Sequence, residues 1–322
     1  MCSAVAAVAI GRNEGERLEA CLRSLFNQSA EPVVYVDSGS SDGSIEVARR
    51  MGAVVVELDL DTPFTAARAR NAGFKRVLEL SSEVEFIQFI DGDCELSKGW
   101  LETAHAVIIA DSRLAVVCGR RRERFPEATI WNWLIDREWD TPIGEQSACG
   151  GDALIRCSAL SAIGGYRGDL IAGEEPEMCF RLRKKFWRIL RIDFDMCLHD
   201  ADMTSVSQWW QRSRRTGHTY AEGAVVHGFG PERYKVMETI RALFWGALVP
   251  LIGVLLAVLL SPWFLLLPLS LWSAQIVRLF LKGYVPLQAF FLTVGKLPEA
   301  QGAIEFFLTR LFGHRRRIIE YK

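Results

Sequence analysis

FIDGDCEL, Phe89 to Leu96, decides how the first two thirds of the chain read. The apolar run Phe86–Ile90 stops at Asp91, and Asp93 follows after one glycine, Gly92. Two carboxylates this close at the rim of an apolar strand repel each other unless a cation sits between them. All-oxygen ligation suits Mg²⁺ or Mn²⁺, and such an ion grips diphosphate oxygens. Taken alone, D-G-D is also compatible with a turn carrying two solvated aspartates, so its neighbours matter.

Outward from this stretch the pattern alternates. Apolar runs at Val5–Ile10, Val33–Val36, Ala53–Leu58, Phe86–Ile90 and Leu114–Cys118 predict strands. Helical patterns at Glu16–Phe26, Ser44–Met51, Pro63–Leu80 and Gly99–Ala110 lie between them. Such alternation predicts an α/β fold, a mainly parallel sheet with helices on both faces. Ligands bind beyond the carboxyl ends of the strands in these sheets. Asn13 and Glu14, Asp37, and Asp91 with Asp93 are the polar residues expected to converge there. No G-x-G-x-x-G follows the first strand and no G-x-x-x-x-G-K-[ST] occurs, which argues against a dinucleotide oxidoreductase and a P-loop NTPase. VDSGSSDGS, Val36 to Ser44, supplies glycines for tight turns and two aspartates as acceptors, and by itself is also readable as a turn with a helix cap.

Several motifs share one order: VAAVAIGRNEGERLEACLRSLFNQ, VYVDSGSSDGS, ARARNAGF, FIDGDCEL and GGDALIRCSALSAIGGYRGDLIAGEEPEMCFRLR. Together they resemble the family 2 glycosyltransferases of the GT-A fold, over roughly residues 4 to 220. The resemblance implies a nucleotide-sugar site. Asp37 would hold the base or ribose beside the turn of Gly11, Arg12 and Asn13, and Arg70, with Arg68 nearby, would contact the nucleotide. Asp91 and Asp93 would be the DxD pair, with Asp93 the firmer ligand of a divalent metal. The family's acidic motif stands here as Glu174-Glu175-Pro176-Glu177, and by position Glu175 would be the general base. Glu replaces the common Asp and Pro176 is unusual, so the choice among Glu174, Glu175 and Glu177 stays open. His199, in CLHDAD, stands where many members place a metal-binding His, although a lone His is as often structural. SQWWQRSRRTGHTYAEG is similar to the family's segment near acceptor and diphosphate, a similarity carried by Gln208, Trp209, Gln211 and Arg212, with Trp210 in the same region. The tryptophans suit either a sugar face or the lipid headgroup level, and Arg212, Arg214 and Arg215 suit diphosphate or anionic lipid.

The C-terminal third differs. Ala242 to Leu260 is a 19-residue run without charge. As a helix it would extend about 28 Å, close to the ~30 Å hydrocarbon core. Ser261 and Pro262 break it, and Trp263 to Leu281 follows with only Arg278 charged. Arg233, Lys235 and Arg241 precede the pair, and Lys282, Lys296, Arg310 and Arg315 to Arg317 follow it. The positive-inside rule then predicts a transmembrane hairpin with both flanks in the cytoplasm, hence a multi-pass protein of the cytoplasmic membrane with its catalytic domain inside. Beyond Pro298, Ala300, Ile304, Phe307, Leu308 and Leu311 share one helical face, with Glu305, Arg310 and His314 elsewhere, which predicts an amphipathic segment on the inner surface. Residues 283–297 leave room for a third, short or re-entrant span. The expected layout is a catalytic domain over 1–230, the hairpin over 231–282 and a basic tail over 283–322.

Composition narrows the partners. The 322 residues hold 38 Lys+Arg against 39 Asp+Glu, a net charge of −1, which argues against nucleic acid. Val5–Ile10 is too short for a secretory signal and runs at once into Arg12. The 8 cysteines form no C-x-x-C pair and read as reduced, buried thiols. The expectation is an inverting, metal-dependent transfer from a nucleotide-diphosphate sugar, by family weight a UDP-sugar, to a hydroxyl or phosphate of a lipid or lipid-linked acceptor. A polyprenyl-phosphate sugar synthase is one alternative and a non-catalytic membrane scaffold or sugar-nucleotide-binding module another. A nucleotidyltransferase would usually open with a Gly-rich basic loop, and only GRNEGER is present.

Overall fold

The computed structural model describes residues 5–313. Cys2, His314 and the arginines at 315–317 lie outside the described residues. The chain forms two compact units, one of residues up to Leu170 with Glu174–Asp202, the other of Ile171–Gly173 with residues from Met203 on.

The first unit is built on one sheet. Its strands are β1 (Val5–Gly11), β2 (Val33–Asp37), β3 (Val54–Glu57), β4 (Phe86–Asp91), β5 (Cys94–Leu96), β6 (Leu114–Glu123), β7 (Gly144–Glu145), β8 (Ala153–Arg156) and β9 (Arg188–His199). Their order is β3-β2-β1-β4-β8-β6-β9-β5, with β7 on β9. The first four are parallel, as the alternation predicts, and β2 is buried at every position. Helices over Glu16–Phe26, Ser44–Arg50, Ala66–Leu80 and Trp100–Ala110 follow the expected segments closely. Beyond β4 the sheet is mixed, because β8 runs antiparallel to both β4 and β6, while β6 and β9 are parallel. The strands β5, β7, β8 and β9 are additions that no long apolar run announces.

Register sets the functional edge. Gly11 stands opposite Asp37 and Ile10 opposite Asp91, so the ends of β1, β2 and β4 are level. At the other side, His199 pairs with Cys94 across β5 and with Glu123 across β6. Gly73 lets the Ala66–Leu80 helix sit close on this sheet, since a Cβ there would lie 2.3 Å from Val8 Cγ1. That approach delivers Arg70, on the same helix, to the strand ends.

The second unit is helical. A 22-residue helix, Val206–His227, opens with a capping box in which Ser205 and Gln208 satisfy each other's backbone amides. Among the described residues two helices are long and apolar enough to cross a membrane, Val236–Leu259 of 24 residues and Pro262–Leu281 of 20. They meet where Gly253 faces Pro268, and Trp272 Nε1 donates to the Trp245 carbonyl at 3.2 Å. Small residues at such a crossing are what packing between lipid-facing helices needs. Residues 283–297 hold a nine-residue helix, Pro286–Val294, about 14 Å long and too short to span. The last helix, Lys296–Phe312, packs on Val206–His227 through Gly302 and Gly217, where added Cβ atoms would lie 1.9 Å from facing carbonyl oxygens. Ala221, Ala303 and Phe306 fill that contact. Ala300 from the expected apolar face is buried, whereas Ile304, Phe307, Leu308 and Leu311 are exposed.

Candidate active site

Asp37 ends β2 fully occupied by its own chain. Its Oδ1 accepts the amides of Gly39 and Ser40, both at 2.8 Å, and its Oδ2 accepts the Tyr35 hydroxyl at 3.0 Å. Burial, reinforced by the Asp37 charge, pushes the Tyr35 phenol well above its usual range, so it stays a donor. The Asn13 backbone is left-handed, with φ 56°, its amide donates to Ser40 Oγ at 2.9 Å, and its Oδ1 accepts from the Ser41 amide at 2.8 Å. The Gly15 amide donates to Asp42 Oδ2 at 3.0 Å. The turns after β1 and β2 are thus stitched together, with Gly11, Arg12 and Asn13 beside Asp37 as expected. Arg12 lies over the Phe64 ring at 4.6 Å.

Arg70 is the hub. It is 2 % exposed, and its Nη2 donates to Asp91 Oδ1 at 2.9 Å while Nη1 reaches Glu174 Oε1 at 2.7 Å and Glu175 Oε1 at 3.0 Å. Gly151 is required beside it, because a Cβ there would lie 2.5 Å from Arg70 Nη2. Arg121, from β6, adds a second guanidinium 3.4 Å from Asp91 Oδ2 and 3.1 Å from Asp152 Oδ2, and it lies over the Trp139 ring. Asp152 in turn accepts the Asp91 amide at 2.9 Å. Burial works against the Asp91 charge, but Arg70 and Arg121 outweigh it and hold that carboxyl below its usual range. Asp91 and Asp93 are therefore not an uncompensated pair. The premise that only a cation can relieve them fails for Asp91, and the case for a metal passes to Asp93.

Asp93 Oδ2 lies 3.2 Å from His199 Nε2. On the other side of the ring, Nδ1 is buried without a hydrogen bond, and Glu123 Oε2 stands 3.7 Å away. Glu123 is itself anchored by the amides of Phe125 and Ala201 and by Asn132 Nδ2. Trp139 meets the imidazole edge-on at 4.7 Å. A carboxylate and an imidazole, with a second carboxylate facing the outer ring nitrogen, is the arrangement that orients a metal-binding His. This donor set fits a divalent ion such as Mn²⁺ or Mg²⁺.

The Glu174–Lys184 helix carries all three candidate acids in its first turn. Pro176 falls there too, where no intrahelical amide partner is needed. Glu177 is gripped by Arg181 through bonds of 2.8–2.9 Å and is buried. Glu174 is also buried, against Arg70. Glu175 is the partly exposed member, and burial with the neighbouring Glu174 raises its carboxyl to about 7 despite Arg70. Of the three, Glu175 is thus the carboxyl that the geometry leaves partly open. Arg121, Glu123, Trp139 and Asp152 went unnoticed in the sequence. GRRRERF reads as a solvated charge run, and only the pairing of β6 with β9 turns Arg121 and Glu123 inward.

The other expected residues belong to the second unit. Trp210 Nε1 donates to Gln301 Oε1 at 2.8 Å, Trp209 meets Phe291 edge-on at 5.2 Å, and Gln211 Oε1 accepts from Arg214 at 2.8 Å. Arg212 lies on the same helix, and Arg214 also pairs with Glu305 at 2.6 Å.

Comparison with known proteins agrees with this architecture. Residues 8–164 match the model of Glycosyl transferase family 2. Succinoglycan biosynthesis protein ExoA of Rhizobium meliloti (strain 1021) is 27% identical over 278 residues, 81% of this chain and 80% of that one. Glycosyltransferase AglE of Haloferax volcanii is 32% identical over 103 residues, 30% of this chain and 32% of that one. The mannosyltransferase PcManGT from Pyrobaculum calidifontis, solved with GDP-Man and Mn²⁺, superposes with a TM-score of 0.62 at 18% identity, covering 97% of this chain and 88% of that one. Glucosyl-3-phosphoglycerate synthase from Mycobacterium tuberculosis gives 0.50 at 16% identity, over 68% and 78%. The sheet, its strand-end carboxylates and the matched sequence agree, and the chain belongs to glycosyl transferase family 2 as a glycosyltransferase of GT-A fold with two candidate membrane-spanning helices.

Proposed function

We propose that the protein transfers a sugar from a nucleotide-diphosphate donor to a hydroxyl of a membrane-associated acceptor, with inversion, in making a cell-envelope polysaccharide or glycolipid. One observation carries this: a single buried guanidinium, Arg70, holds both Asp91 of the DxD stretch and Glu175 of the acidic motif. Donor-side and acceptor-side chemistry therefore share one site. The stitched turns at Gly11–Asn13 and Asp37 would receive the nucleoside. Asp93 and His199 would hold a divalent cation, which when bound supplies Lewis-acid neutralisation of the departing diphosphate. The structural neighbour PcManGT, solved with GDP-Man and Mn²⁺, supports such a donor and ion, and the relative named for succinoglycan biosynthesis supports the pathway class.

Glu175 takes the proton of the attacking hydroxyl, a contribution of typically about 10²–10⁴-fold. Arg70 stabilises its charged form and fixes its position, and Glu174 opposes that charge. A base poised near neutrality serves a hydroxyl acceptor, whereas an ionised phosphate needs none. This favours a hydroxyl over the polyprenyl-phosphate reading, which remains the second choice. The exposed apolar helices support a reaction at a membrane, and the reading proposed is the cytoplasmic membrane with the first unit inside, where sugar nucleotides are made.

Detergent-solubilised protein, a panel of UDP- and GDP-sugars and a membrane-lipid extract test this. Sugar-bearing lipid is expected with Mn²⁺ or Mg²⁺ and not after chelation. Asp93→Ala and Glu175→Gln should both abolish transfer, and only Asp93→Ala should weaken metal–nucleotide binding. No turnover with any donor, or equal loss of binding in both variants, would refute the assignment.

A further inference from the structure

Cys94, Cys197 and Asp152 come from three segments, β5, β9 and the turn into β8, and meet at one buried point. Asp152 Oδ2 lies 3.4 Å from Cys94 Sγ and 3.3 Å from Cys197 Sγ, and the three ligand atoms are all within 4.8 Å of one another. All three residues are buried. None has a part in the proposed transfer. In a tetrahedral zinc site, with sulfur at about 2.3 Å and oxygen at about 2.0 Å, neighbouring sulfur and oxygen ligands stand about 3.5 Å apart. The two sulfur–oxygen separations are nearly that edge, and the sulfur–sulfur distance, within 4.8 Å, has to close only to about 3.8 Å for an ion to enter. Two thiolates and the Asp152 carboxylate supply three negative charges to a divalent ion, and Arg121, whose Nη1 is 3.1 Å from Asp152 Oδ2, is shared with Asp91.

We propose that Cys94, Asp152 and Cys197 form a second cation site, selective for thiophilic divalent ions such as Zn²⁺ and Cd²⁺, through which those ions inhibit the enzyme. Each thiol exchanges its S–H bond for a sulfur–metal bond, and both protons leave to the buffer. Hard ions such as Mg²⁺ and Mn²⁺ prefer oxygen and do not recruit the thiols. Two links connect the site to the donor end of the sheet. The Asp91 amide donates to Asp152 Oδ1, and Cys94 Sγ lies 3.6 Å from Asp93 Oδ1. An ion that replaces the Cys94 S–H and draws that sulfur toward Cys197 removes the thiol hydrogen that faces Asp93 Oδ1, and so reaches the donor end of the sheet.

The full chain in detergent, loaded with one equivalent of Zn²⁺, is read by X-ray absorption at the zinc edge. Two sulfur neighbours at about 2.3 Å are expected. Oxygen and nitrogen neighbours only would overturn the proposal, and this needs no variant. With Cd²⁺, the ultraviolet sulfur-to-cadmium charge-transfer band should weaken in Cys94→Ser and Cys197→Ser. It should persist in His199→Ala and in Cys149→Ser, whose thiol instead touches Cys179 at 3.5 Å. Loss of the band in His199→Ala or in Cys149→Ser would place the ion elsewhere and refute the assignment. Cys197→Ser should raise the zinc concentration needed for inhibition at least about tenfold, the scale on which a lost metal-site partner acts. An unchanged concentration would mean that zinc merely displaces the catalytic ion.

Discussion

Glu175 shows how one residue's surroundings set its chemistry. Burial and Glu174 raise its carboxyl to about 7, against the pull of Arg70. Only the ionised form accepts a proton, so kcat/KM should fall as pH drops through about 7. The stability sign is opposite. The folded state holds this proton more tightly than the unfolded chain, so Glu175 alone makes folding less favourable as pH rises from 4.5 to about 7. A flat activity profile through neutrality would remove Glu175 as the base. Asp91 and Asp93 could be singled out because they stand at the end of a predicted strand, and Arg70 and His199 because they lie in short motifs that carry the family resemblance. Arg121, Glu123 and Asp152 could not, since their burial depends on strands whose partners are far away in sequence.

Among the elements, close approach is decided by glycine. A Cβ on Gly73 would meet Val8 and Val36 side chains at 2.3 and 3.0 Å, so the Ala66–Leu80 helix would have to lift. Gly73→Ala should cost about 1–3 kcal/mol, read by thermal unfolding, and should weaken nucleotide binding because Arg70 moves with the helix. A stabilised variant with unchanged affinity would contradict that coupling. In the second unit the obstacle is backbone rather than side chain, for Gly302 faces the Arg214 carbonyl and Gly217 that of Glu299. Gly302→Ala should therefore cost more than Gly73→Ala and lower the temperature at which the solubilised chain aggregates. Helical periodicity grouped Ala300 with Ile304, Phe307, Leu308 and Leu311, of which Ala300 is buried and the other four are exposed, and it cannot say that the face that packs is the one of Gly302, Ala303 and Phe306. Small residues carry little apolar signal while permitting the nearest contact.

For the molecule as a whole, the question is orientation in a bilayer. Two helices of 24 and 20 residues remain largely uncovered, with only 22% and 6% of their most apolar windows buried. Apolar surface on this scale calls for lipid. With a cytoplasmic first unit, the Ser261–Pro262 link faces the far side. Ser261→Cys in intact cells should react with a membrane-impermeant maleimide, while Lys75→Cys, at an exposed position of the first unit whose described native cysteines are all buried, should react only after permeabilisation. The reverse pattern would invert the topology. Carbonate washing should leave the chain in the membrane pellet.

Sequence by itself determined the parallel half of the sheet, the two apolar helices and the identity of the motif carboxylates, because these are local: periodicity, run length and residue type at strand ends. Tertiary structure alone decided what each carboxylate faces. Asp91 meets two guanidinium groups, Asp93 meets His199, and of three adjacent glutamates Glu175 is the one left partly open. Charge compensation is pairwise and falls off within a few ångströms, so it is set by which segments fold against each other and not by spacing along the chain.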